Sequence, residues 1–262
     1  MDNEALVFET GAASHVGLVR AVNEDSHLLR PGIGLWAVSD GMGGHTAGRM
    51  ASQMVVEGLD EIAPTSEADA LLHACLVQLQ TANARLREAT AAMGIAQAGA
   101  TVVVLMLNGE RFVCVWCGDS RVYRIRNGVI DQLTRDHSEV EELLRRGLIS
   151  ADEAKTWPRR NVITRAIGVT EEPVPETRDG PVAAGDVFVL CSDGLTNQLD
   201  DEAIAAACTG DDVQAAADRL IAETLDSGAK DNVTVVVVRC RRREPTVVDP
   251  SGAPRARLAQ PS

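Results

Sequence analysis

Apolar and polar positions along the chain fall into two rhythms. Short, mostly apolar runs bounded by Gly, Pro, Asn or Asp read as buried strands. They cover Ala5 to Glu9, Ser26 to Arg30, Leu35 to Ser39, Ala100 to Leu107, Arg111 to Cys117, Arg121 to Arg126, Asp186 to Ser192 and Val233 to Arg239. Val174 to Arg178, with Pro175 inside it and Pro173 just before, reads as an edge strand. Gly11 to Gly17 reads as a turn and loop. Apolar residues at helical spacing predict helices over Thr46 to Ile62, Ser66 to Ala92, Asp200 to Cys208 and Asp211 to Leu225. Two short charged helices are expected at Ser138 to Arg146 and Ser150 to Lys155.

Turn chemistry orders these elements. Asn108-Gly109 is a strong hairpin signal, and Asn127-Gly128 a second. The three strands between residues 100 and 126 are therefore expected to form an antiparallel meander. Alternation is weak in the first two, so both of their faces should be covered, as in a sheet held between helices and a second sheet.

One stretch organises the rest. In Leu35-Trp36-Ala37-Val38-Ser39-Asp40-Gly41-Met42-Gly43-Gly44 an apolar run ends in a carboxylate that opens a glycine turn. The glycines let the backbone turn sharply and approach a ligand closely. A carboxylate beside a bare carbonyl suits a hard cation. Asp119 and Asp193 also end apolar runs, whereas Asp231 and the Glu24-Asp25 pair precede them. In an antiparallel sheet the start of one strand lies beside the end of the next. All of these acids are thus expected at one edge, and a hairpin should set Asp25 near Asp40. Clustered carboxylates resist ionising unless a cation compensates them, which points to a divalent metal centre.

Composition narrows the alternatives. The 262 residues suffice for one sizeable domain, and no interior linker divides them. A net charge of −13 argues against nucleic-acid binding. No apolar run reaches the length of a membrane span and no leader is evident, so a soluble, cytoplasmic and monomeric protein is expected. The six cysteines sit in apolar runs and read as reduced core residues. Cys114 and Cys117, three apart in a strand, should face opposite sides rather than share a metal. The segment from about 134 to 168 is the most loop-like, with a basic and aromatic patch at Trp157, Arg159 and Arg160 that suits a flap touching substrate. Residues 241–262, basic and proline-containing, read as a disordered tail behind a domain ending at 240. The histidines read as structural, with His45 and His137 nearest the motifs.

The motifs occur in a recognisable order. They are Arg20-x-x-Asn23-Glu24-Asp25, Asp40-Gly41-Met42-Gly43-Gly44, Gly99-Ala100-Thr101, Gly118-Asp119-Ser120-Arg121, Leu133-Thr134-x-Asp136-His137-Ser138, Asn161-x-x-Thr164-Arg165, Ser192-Asp193-Gly194 and Asp231-Asn232. In this the chain resembles bacterial metal-dependent serine/threonine protein phosphatases of type 2C. The resemblance implies an α+β fold, a four-layer α/β/β/α sandwich of two antiparallel sheets flanked by helices. It implies two Mn²⁺ or Mg²⁺ ions, with a weaker third. Asp40 would bridge the pair, the Gly41 carbonyl would bind one ion, and Asp193 and Asp231 the other. Glu24 and Asp25 would act through metal-bound water, and Asp119 would hold the third ion. Arg20 would grip phosphate, and Thr101, Asn232 and Ser120 would support the site. Phosphoserine and phosphothreonine on proteins would be hydrolysed by direct attack of a metal-activated water, opposing a serine/threonine kinase. Met42 stands where some eukaryotic members have a histidine, which leaves the general acid unassigned. Two other readings are a phosphoprotein-binding scaffold without turnover and a small-molecule phosphohydrolase.

Overall fold

The computed structural model describes residues 6–44, 46–210 and 212–243. Ala5, His45, Asp211 and the expected tail from residue 244 lie outside them. The chain begins with β1 (Leu6–His15), β2 (Asp25–Arg30) and β3 (Leu35–Met42), followed by α1 (Thr46–Asp60) and α2 (Ala68–Ala92). Next come β4 (Gly99–Ala100), β5 (Val102–Asn108), β6 (Arg111–Cys117), β7 (Arg121–Arg126) and β8 (Val129–Gln132). After α3 (Glu139–Arg145) and α4 (Ala151–Lys155) follow β9 (Glu176–Pro181), β10 (Val187–Cys191), α5 (Asp193–Thr196), α6 (Asp201–Ala207), α7 (Val213–Asp226) and β11 (Val233–Arg242).

Two antiparallel sheets result. One runs β1-β11-β10-β7-β8; the other runs β2-β3-β5-β6-β9, with β4 paired to β3. Their strands show why alternation was weak. Val102, Val104 and Met106 face α1 and α2, whereas Val103, Leu105 and Leu107 face the other sheet. Tyr123, Val189, Val235 and Val237 pack under α6 and α7. The order is helices, sheet, sheet, helices, the four layers expected. Cys114 lies between the sheets and Cys117 under the helices, and all six cysteines are free and buried.

Several expectations need correction. The meander does not form: β5 and β6 pair, but β7 crosses into the other sheet and pairs with β10 and β8. Asn127-Gly128 closes the β7–β8 hairpin instead, with Asn127 at φ 53°. The supposed loop from Gly11 continues β1 to His15, paired throughout with β11. Gly11 permits this because a Cβ there would lie 2.3 Å from the Val213 carbonyl oxygen of α7. β11 runs on to Arg242, so Arg241 and Arg242 belong to the sheet rather than to a tail. Helical spacing in α2 predicts one apolar side of Leu72, Leu76, Leu79, Leu86 and Ala89; Leu79 and Leu86 are buried with Leu71, Cys75 and Ala82, whereas Leu72, Leu76 and Ala89 are half-buried. The edge strand β9 starts two residues later than expected. The acidic helix starts do act as caps: Asp200 accepts from the Ala203 N–H and Asp212 from Gln214 and Ala215.

Candidate metal and phosphate site

Five strand ends build the site. β3 delivers Asp40, β10 ends just before Asp193, Asp231 precedes β11, Glu24 precedes β2, and Asp119 lies between β6 and β7. The residues lining one recess of about 350 Å³ include Arg20, Glu24, Asp40, Gly41, Met42, Thr101, Asp119, Asp193, Asp231 and Asn232. Asp25 lies directly opposite Asp40 in the β2–β3 register, as expected, but is not part of that lining.

Several of the acids are fixed by neighbouring groups, through the backbone for Asp40 and Glu24 and through a carboxylate oxygen for Asp25, Asp193 and Asp231. The Asp40 backbone is fixed from both sides, since its N–H donates to Thr101 Oγ1 at 3.1 Å and its carbonyl accepts the Thr101 N–H at 2.8 Å. Thr101 Oγ1 is in turn 2.7 Å from Ser120 Oγ. Asn232 Oδ1 accepts the Glu24 N–H while its amide donates to the Val16 and Val22 carbonyls, tying the β1–β2 connection to β11. Ser192 donates to Asp25 Oδ2 at 2.8 Å, and Asn197 donates to Asp193 Oδ2 at 3.0 Å. Arg20 donates to Asp231 Oδ2 at 2.8 Å, so this recess-lining guanidinium leans on an acid of the cluster.

Electrostatics shows how strongly these groups face each other. Asp40 is pushed well above the usual carboxylate range by burial first, then by Asp25, Asp193, Asp119 and Asp231. Burial, followed by neighbouring acids, raises Asp25 to about 7, Asp119 to about 8 and Asp193 to about 6. Among the described residues, Asp25 Oδ1 is buried without a hydrogen-bond partner. Among the described residues no three His, Cys, Asp or Glu side chains form a ready-made metal cluster. The donor chemistry nevertheless fits hard divalent cations, because every candidate is an oxygen and the acids repel one another when bare.

The glycine turn is required by space as well as by conformation. A Cβ on Gly41 would lie 2.0 Å from the Gly48 carbonyl oxygen of α1, while Gly43 and Gly44 hold φ of 130° and 84°. Gly41→Ala is expected to cost roughly 1–3 kcal/mol in urea unfolding and to push the Asp40 turn off α1. An unchanged midpoint would contradict this packing.

Not every expected residue reaches the recess. Trp157 is half-buried with Nε1 3.5 Å from Glu139, and Arg159 pairs with the same carboxylate at 2.9 Å; neither lines it. Arg160 lines an adjoining hollow that shares Asp119, Asn161 and Asp193 with the main one. Asn161 and Ile163 line the main recess yet had no role in the sequence reading, although both lie in a quoted motif.

This architecture, two sheets presenting an acidic edge, is that of a known class. A protein phosphatase 2C family model matches residues 17–233, and the chain belongs to that family. It is 38% identical over 239 residues to the serine/threonine protein phosphatase PstP of Mycobacterium tuberculosis, covering 90% of this chain and 46% of that relative. The chain thus spans about half the length of that relative. Among solved structures, PppA, a key regulatory component of T6SS in Pseudomonas aeruginosa, superposes with a TM-score of 0.84 at 40% identity, covering 89% of this chain and 98% of that one. The catalytic domain of PstP in complex with two manganese ions superposes with a TM-score of 0.80 at 36% identity, covering 90% and 99%. No described helix is long and apolar enough to cross a membrane.

Proposed function

We propose that this chain is a metal-dependent phosphatase that removes phosphate from phosphoserine and phosphothreonine on proteins. The carrying observation is the convergence of Asp40, Asp119, Asp193, Asp231 and Glu24 with Arg20 on one recess. The manganese reported for a relative of this fold supports the cation. Asp40, the Gly41 carbonyl, Asp193 and Asp231 would hold a Mn²⁺ or Mg²⁺ pair, with Glu24 and Asp25 acting through coordinated water and Asp119 holding a weaker third ion. When bound, such a pair supplies hydroxide near neutral pH and neutralises charge on a phosphoryl group.

The chain's own residues do the rest. Arg20, which donates to Asp231, would grip phosphate oxygens with its planar fork, exchanging Asp231 for the substrate. Thr101 and Asn232 keep the Asp40 and Glu24 backbones from shifting as charge changes. Met42 lines the recess and has no proton to give, so the leaving group takes its proton from water or from its own surroundings. No cysteine serves as nucleophile, because burial pushes the thiols up, Cys191 to about 12 and Cys208 to about 11.

Phosphoproteins generated by a serine/threonine kinase are the expected partners, with the protein acting as a cytoplasmic monomer. A panel of phosphothreonine peptides and free phosphometabolites, each with Mn²⁺, Mg²⁺ or chelator, tests the reading. Cation-dependent release from peptides supports it; preference for metabolites, or binding without turnover, overturns it. Arg20→Ala should cost roughly 10–100-fold in kcat/KM on the peptide, the worth of a hydrogen bond between charged groups. Arg20→Lys should recover only part, since a point charge lacks the fork. Equal rates for all three would remove Arg20 from the phosphate site.

A further inference from the structure

Asp119 sits where the chain leaves one sheet for the other, and the turn that carries it is held in an unusual way. Gly118 has φ 123°, and a Cβ there would lie 2.5 Å from the Thr101 side chain, the anchor of Asp40. On its other side stands His137, whose side chain is only 6% exposed. The His137 N–H donates to the Gly118 carbonyl at 2.9 Å, and the Gly118 N–H donates to His137 Nδ1 at 3.1 Å. The His137 carbonyl accepts the Thr164 N–H at 2.7 Å, beside the Ser138–Ile163 bridge that closes the root of the 134–168 segment.

The ring itself is fixed. It stacks on Trp116 at 6.1 Å between centroids, and Trp116 Nε1 donates to the Arg135 carbonyl. With Nδ1 accepting from Gly118, a neutral ring carries its proton on Nε2, which lies 3.3 Å from Glu176 Oε1 and 3.3 Å from Arg165 Nη1. Arg165 donates to the same Glu176 oxygen at 2.9 Å. Burial, followed by Arg165, lowers the imidazole pKa and keeps the ring neutral, as an Nδ1 acceptor must be.

The geometry points to His137 as the positioning residue of the Asp119 turn, gripping both polar groups of Gly118 and tying that turn to the root of the 134–168 segment. This rests on the reading of Asp119 as a cation ligand. It assigns a purpose to a histidine that touches neither cation nor substrate. Loss of a group that orients a ligand typically weakens cation binding about 10–100-fold.

Two replacements separate the clamp from mere bulk. In His137→Asn the amide oxygen lies as many bonds from the backbone as Nδ1 and can accept the Gly118 N–H. In His137→Gln the oxygen lies one bond further out, at the place of Nε2. Mn²⁺ titration by calorimetry and kcat and KM on a phosphothreonine peptide would be measured for both, for Asp119→Asn, and for Asp119→Asn combined with His137→Gln. His137→Gln is expected to weaken the Asp119-dependent step of the titration by about 10-fold or more. His137→Asn should restore most of it, and the double variant should be no worse than Asp119→Asn alone. Additive losses, or an Asn variant no better than Gln, overturn the clamp. Unchanged Mn²⁺ binding in Asp119→Asn overturns the assignment of Asp119 itself, a distinct failure.

Discussion

Asp40→Asn is expected to lose at least roughly 10³-fold in kcat on a phosphothreonine peptide, while the cation-free protein stays as heat-stable as wild type or becomes more so. The first half follows from position. Asp40 faces four other acids, and one pre-aligned group at developing charge is already worth about 10²–10³-fold. The second half follows from the same crowding. Burial and its neighbours already push the bare Asp40 toward its protonated form, so a neutral amide of nearly the same shape costs little and spares the folded state any residual charge, while the Thr101 clamp on the backbone is untouched. Sites that work by holding like charges together commonly trade stability for function. Turnover and melting in chelator, measured together, check both halves. Near-normal turnover, or a melting point well below wild type, would remove Asp40 from the centre of the site.

Cation protection should grow with pH. Folded Asp25, Asp119 and Asp193 hold their protons to about 7, 8 and 6, whereas an unfolded aspartate loses its proton near ~3.9. Between those values the folded chain binds more protons than the unfolded one. Its stability is therefore full below the unfolded pKa and falls as pH rises through the folded values. Without cations, the melting temperature should drop between pH 5 and pH 8.5. Mn²⁺ or Mg²⁺ replaces the lost protons, so its effect should be small at pH 5 and large at pH 8. Saturation to about 100 times Kd is worth about 2.7 kcal/mol, roughly 5–10 °C for a domain of this size. A cation-induced shift that is flat with pH, or larger at pH 5, would contradict a proton-linked acidic site.

The two effects together describe a site that is costly when bare. Among the described residues Asp25 Oδ1 has no hydrogen-bond partner, and the Asn197 bond to Asp193 engages only its Oδ2. The surrounding scaffold tolerates this because the acids ride on strand ends whose pairing is satisfied elsewhere, in β3 against β2 and β5 and in β11 against β1 and β10.

The acids and their polarity were legible because each is local: an apolar run with Asp at its end, or Asp before it, states where a strand stops. The two-sided burial of β5 was legible for the same reason, since Val102 to Leu107 offers apolar groups to both faces. Other features were not written locally. Asn108-Gly109 specifies its own hairpin, but nothing in Gly118-Asp119-Ser120 states that the next strand joins the opposite sheet. Gly11 to His15 looked like a loop because its strand character comes from β11 and from close contact with α7.

The sequence by itself determined most of the strands, the longer helices and the kind of side chain waiting at each strand end, because propensity and turn chemistry act over a few residues; the second half of β1, β8 and α5 were not read from it. The tertiary structure alone decided that β7 changes sheets, that Trp157 and Arg159 turn to Glu139 rather than to the recess, and that His137 meets Gly118. Those outcomes depend on which distant surfaces can pack and which polar groups then need partners, and no stretch of a few residues encodes that.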